Sequence, residues 1–83
     1  MTPQETITAY LSERFRASIA GGRLAPGDPL ISSGVIDSFG VLEVIAWLED
    51  TFGVNIDPTR HELTEFETVS RIADLVQNAP RRT

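Results

Sequence analysis

Apolar residues fall into three helical stripes separated by one long stretch without a period. Ile7, Tyr10, Leu11 and Phe15 recur at helical spacing. Ahead of them, Thr2, Pro3 and Glu5 make a helix start: a threonine cap, a proline at the first helical position and a glutamate placed to close a capping box. This predicts a first helix from Pro3 to about Ala17 with an apolar stripe one face wide. The run "SFGVLEVIAWLEDTF" predicts a second helix from Ser38 or Phe39 to about Phe52, stopped by Gly53 in the place of a C-terminal glycine. Val69, Ile72, Ala73 and Val76 mark a last helix, capped by Thr68 and ending before Pro80. Between these two, "VNIDPTRHELTEFET" contains Pro58 and predicts a short helical turn near Glu62 to Phe66.

The stretch without a period is "GGRLAPGDPLISSGVID", Gly21 to Asp37. Its four glycines and two prolines break any helix, and it shows no alternation that would make a strand. Loops of this length are uncommon inside small domains. Leu24, Leu30, Ile31, Val35 and Ile36 are spaced through it, and their insertion into the core predicts an ordered crossover with one short helical turn. The architecture expected is all-α: a small four-helix bundle of three main helices and one short one, with a long loop between the first two. At 83 residues the chain has surface enough for one core, so residues 1–83 are read as a single domain with its core at about 3–78 and a polar tail at 79–83.

The second helix carries more apolar residues than one buried face needs. At about 100° per residue, Val41, Val44, Ile45, Leu48 and Phe52 share one sector, which is the core face. Phe39, Leu42 and Ala46 form a second strip, bordered by Glu43 and Asp50 on one flank and by Glu49 on the other, with Trp47 beyond Glu43. Two readings compete for this strip. A helix that is apolar all round is ordinarily central and buried on both faces. Yet carboxylates are costly to bury unpaired, and an exposed apolar strip with a charged rim has the form of a docking surface.

Charge and composition narrow the function. Nine of the twelve acids lie between Asp28 and Glu67 against one arginine, Arg60, a net of −8 in that segment. Such a surface repels polyanions, so nucleic acid is not an expected ligand, and basic partner patches are. The chain has no cysteine, hence no disulfide, no thiolate zinc site and no thiol nucleophile of its own. Absence of a membrane-length apolar run and of a basic leader predicts a cytoplasmic location. A serine hydrolase is not expected, because the single histidine, His61, lies in a polar connection and Ser38 has no G-x-S-x-G turn around it. A calcium loop in "EDTFGVNIDPTRHE" fails because Phe52 and Val54 sit where oxygen ligands belong. Trp47 is read as a half-buried packing residue.

Ser38, next to Asp37 at the start of the second helix, is a helix-capping residue on the simplest view. The same place suits a phosphate ester, since free backbone N–H groups and the positive end of the helix dipole favour an anion there. Here the chain resembles a known family. "GVIDSFGVLEVIAWLEDTFGVNI", with Leu30 upstream and "FETVSRIADLV" downstream, is similar to the acyl carrier proteins and peptidyl carrier proteins, the phosphopantetheine-binding carriers. The likeness runs from the first helix to the last. The family's Asp-Ser-Leu stands here as Asp37, Ser38 and Phe39, so phenylalanine takes the usual leucine's place, and Gly40 stands where fatty-acid-type carriers often have an acid.

The resemblance implies a discrete acyl or aminoacyl carrier without catalytic activity, a monomer. In it, Ser38 receives 4′-phosphopantetheine from coenzyme A through a separate phosphopantetheinyl transferase that uses Mg²⁺. The arm's thiol then supplies what a chain without cysteine lacks. Asp37 is expected to cap the helix and meet the transferase, and Phe39, Leu42, Glu43, Ala46, Glu49 and Asp50 to form the partner face. The other implied partners are a loading ligase or acyltransferase and a downstream synthase or transferase. A "DSFG" start also looks like D-alanyl carriers and carriers of secondary-metabolite pathways, of polyketide or nonribosomal peptide type. The reading from another class is a small acidic helical adaptor that uses the same strip without any covalent arm.

Overall fold

The computed structural model describes residues 2–82. The first helix, α1, spans Pro3–Arg14. Thr2 Oγ1 accepts from the Glu5 N–H at 3.1 Å, and Glu5 Oε1 accepts from the Thr2 N–H at 3.2 Å. The capping box therefore forms as the residue types require. The helix stops three residues short of the expected Ala17. Its last turn tightens instead into a 3₁₀ turn, Arg16–Ser18, where the N–H groups of Ser18 and Ile19 reach the carbonyls of Phe15 and Arg16. A tightened end of this kind satisfies terminal carbonyls, and here it buries Ile19. A second 3₁₀ turn, Ala20–Gly22, follows.

The long connection is ordered by its apolar residues and by one distant acid. Leu30 and Ile36 are buried in the core, with Leu24, Ile31 and Val35 packed against it. The backbone closes on itself where the Ile36 N–H donates to the Leu30 carbonyl at 3.0 Å. Glu67, 35 residues further on, holds this loop from outside. Its carbonyl accepts from the Leu30 N–H at 2.7 Å. Its carboxylate Oε1 accepts from the N–H groups of Ile31 at 2.8 Å and Ser32 at 3.0 Å. Those donors, Ser32 foremost, hold the Glu67 carboxyl below the usual glutamate range. Gly34, at φ 83°, makes the reversal between the two anchors.

The second helix, α2, spans Ser38–Phe52 and ends on Gly53 in the left-handed conformation, φ 64°. Its inner residues Val41, Val44, Ile45 and Leu48 enter the same core as Ile7 and Leu11 of α1. Behind it, Trp47 is half-buried and stacks on Tyr10 with ring centroids 4.0 Å apart and planes 8° from parallel. Short 3₁₀ turns at Pro58–Arg60 and Leu63–Phe66 follow. The latter is the expected short helical element. The last helix, α3, spans Val69–Asn78, and Thr68 accepts from the Arg71 N–H as its cap. Residues 80–82, expected to form part of a polar tail, are held in place. Asn55 N–H donates to the Pro80 carbonyl at 2.9 Å and Arg82 N–H to the Gly53 carbonyl at 2.8 Å, around a single antiparallel bridge between Val54 and Arg81. Among the described residues there are three α-helices, four 3₁₀ turns and no extended strand. No helix among them is long and apolar enough to cross a membrane.

Candidate functional site

The start of α2 separates two roles that one serine could have combined. Asp37 is the cap: its Oδ1 accepts from the Gly40 N–H at 2.7 Å while its carbonyl takes the Val41 N–H. Ser38 is thereby the first helical residue, exposed, with no hydrogen bond to its Oγ among the described residues. Its hydroxyl is free for chemistry and open to an approaching enzyme. The amides of Ser38 and Phe39 lie at the positive end of the helix, where an esterified phosphate is electrostatically favoured.

Gly40 gives the site its tight geometry. A Cβ built there would lie 2.9 Å from Cγ2 of the buried Ile36, 3.3 Å from Asp37 Oδ1 and 3.4 Å from Cε1 of Phe15. The glycine lets the cap, the end of α1 and the end of the loop converge on the first turn of α2. Sequence reasoning saw only the acid that Gly40 lacks.

The competition over the second strip of α2 is decided by exposure. Phe39 is 84% exposed and Leu42 53%, and Ala46 is exposed as well. Phe39 does not fold back under the loop. An apolar strip thus runs along α2 from the residue beside Ser38.

The acids around the strip are less free than their composition suggests. Arg14 Nη2, at the end of α1, lies 2.8 Å from both carboxylate oxygens of Glu43. This hydrogen bond pushes the guanidinium pKa up. Asp50 Oδ1 accepts from Arg82 Nη1 at 3.1 Å, and the same nitrogen donates to the Glu49 carbonyl at 3.3 Å. The Glu49 carboxylate turns to the chain leaving the helix and accepts from the Ile56 N–H at 3.0 Å. All six expected partner-face residues are therefore on one side of α2, but each acid already has an internal contact.

His61 is drawn elsewhere. Its Nδ1 is 3.1 Å from Glu65 Oε1 and its ring meets Phe66 edge to face. It lines a groove of about 400 Å³ with Arg71, Asp74 and Leu75 of α3, to which α2 contributes no residue.

Against known proteins, the chain matches the phosphopantetheine attachment site family over residues 5–76, from the first turn of α1 to the last of α3. No curated protein gives a significant match.

Proposed function

The chain belongs to the phosphopantetheine attachment site family, whose members are non-catalytic carriers, and we propose that in it Ser38 is the residue that takes the arm. The observation that carries this reading is the exposed, unbonded Ser38 hydroxyl at the first position of α2, with Asp37 doing the capping beside it. A phosphopantetheinyl transferase would form the bond from Ser38 Oγ to phosphorus as the pyrophosphate P–O bond of coenzyme A breaks. Adenosine 3′,5′-bisphosphate leaves, and the hydroxyl proton passes to the transferase. When bound, the arm supplies a thiol on which acyl or aminoacyl groups ride as thioesters.

The protein's own contribution is to hold that hydroxyl outward. The Glu67 clamp fixes the loop, Ile36 is buried, and Asp37 pins the first turn. Loading ligases or acyltransferases, and the synthases or transferases that accept the cargo, would read the strip of Phe39, Leu42 and Ala46 with Glu43, Glu49 and Asp50 at its rim. In this reading the chain is a single carrier domain, works as a monomer in the cytoplasm, and serves a pathway of secondary-metabolite, polyketide, nonribosomal peptide or D-alanyl type.

Intact mass spectrometry tests it. After incubation with coenzyme A, Mg²⁺ and a promiscuous transferase, the chain should gain the mass of one arm, and Ser38→Ala should gain nothing. An unmodified wild-type chain would leave the strip as the binding face of an adaptor without a cofactor. A gain that survives Ser38→Ala would move the attachment to another residue.

A further inference from the structure

Beyond its phosphate, the arm proposed for Ser38 carries a gem-dimethyl group and two neutral amides before the thiol. Its tether limits which recess of this chain those groups can reach. One recess, of about 230 Å³, lies between the end of α1 and the loop, with Ile19, Leu24 and Val35 as its apolar wall and Arg23, Asp28 and Ser33 in its polar lining. Val35 stands three positions before Ser38, and three residues of chain span at most about 11 Å. The α1 side of the recess is held at the same end of the molecule. There the Ser18 N–H donates to the Phe15 carbonyl at 2.9 Å, and the Phe15 ring edge would lie 3.4 Å from a Cβ on Gly40 in the first turn of α2. The groove at His61 takes no residue from α2 or the loop. The recess at Phe52 lies at the far end of α2, about 20 Å along the helix from Ser38.

The lining suits the middle of the arm better than either end. Ile19 is buried, and Leu24 and Val35 are half-buried, an apolar wall for the gem-dimethyl group. Arg23 is exposed, so its donors are open to an amide carbonyl. Ser33 Oγ donates to the Pro29 carbonyl at 2.6 Å, which leaves its lone pairs to accept from an amide N–H. The Asp28 carboxylate on the wall disfavours a phosphate. The volume falls below the about 300–1,000 Å³ of sites that enclose a whole small ligand, so a bulky cargo is excluded as well. Resting on Ser38 as the attachment residue, we propose that this recess is the resting site of the pantetheine portion of the arm, which lies back over the loop toward α1 rather than along α2. A partner enzyme then draws the arm out before using it.

The test is nuclear magnetic resonance on the full chain loaded with an isotope-labelled arm, after intact mass has confirmed loading at Ser38. Cross-relaxation should connect the gem-dimethyl protons to the methyls of Ile19, Leu24 and Val35. The order parameter of the first arm amide should exceed about 0.6, the value below which a group counts as flexible. Ser18→Trp, which puts an indole at an exposed position on the rim, should abolish those contacts and drop the order parameter below about 0.6. Arg23→Gln alters one exposed side chain and leaves the apolar wall intact; it should weaken the same contacts even if the tryptophan disturbs the fold. A flexible arm in the wild type, contacts to the grooves at His61 or Phe52 instead, or contacts that survive Ser18→Trp would overturn the proposal and leave the carrier assignment standing. A chain that takes no arm at Ser38 would overturn the assignment, and the proposal with it.

Discussion

The two faces of α2 are built from the same kinds of residue and meet opposite fates. Val41, Val44, Ile45 and Leu48 point inward and are buried, whereas Phe39, Leu42 and Ala46, one or two residues away, face solvent. The inner face packs against α1, the loop and α3. Among the described residues no element covers the outer face, and the surrounding acids contact arginines and backbone amides rather than folding over it. Hydrophobicity along a helix therefore marks two different things, a contribution to stability on one side and, in the function proposed above, an offer to another molecule on the other.

Substitutions on the two faces should separate these roles. Leu48 is fully buried, so Leu48→Ala should cost about 2–5 kcal/mol in urea unfolding. The same change at Leu42 should stay within about 0.5 kcal/mol. Equal losses would mean that the outer strip is part of the core. Gly40, at the junction of the faces, should show the next largest effect. Alanine is the better helix former by about 1 kcal/mol, yet Gly40→Ala should destabilise by about 1–3 kcal/mol because its Cβ meets Ile36 at 2.9 Å. A chain stabilised by this change would show that the first turn has room to spare.

The smallest effect concerns the loop that aims the outer face. The Glu67 carboxyl titrates below its ordinary value of 4.5, so its anionic form is favoured by folding. Its contribution is present above that ordinary value and is lost as pH falls through the lowered folded one. Melting temperature followed through the acid range should therefore fall less steeply for Glu67→Gln than for wild type. Asp57 and Glu65 are shifted the same way, by the Thr59 hydroxyl and the Glu62 N–H in the first place, so some acid sensitivity should persist. Parallel curves for the two proteins would deny Glu67 this role.

What could be read in the sequence was what neighbours in the chain decide. The caps at Thr2 and Thr68, the stop at Gly53 and the inner stripe of α2 depend on residues within a turn or two, and all stand where expected. The same holds for Leu30 and Ile36, whose apolar character in a glycine-rich stretch is enough to bury them. What escaped were bonds between distant residues. Arg14 meets Glu43 across 29 positions and Arg82 meets Asp50 across 32, so no local pattern reveals that these acids are matched. For the same reason residues 80–82 read as part of a free tail, although the bridge at Val54 holds them. The resemblance to carriers supplied the expectation for Ser38 and that of Asp37 as the cap, and Asp37 does hold the Gly40 N–H.

The stacked Tyr10 and Trp47 are the chain's only tyrosine and its only tryptophan. Ultraviolet emission from the folded molecule consequently arises from one spot, the clasp between α1 and α2 at the edge of the core. An unlabelled sample carries its own optical gauge, one that dims or shifts when those two helices part.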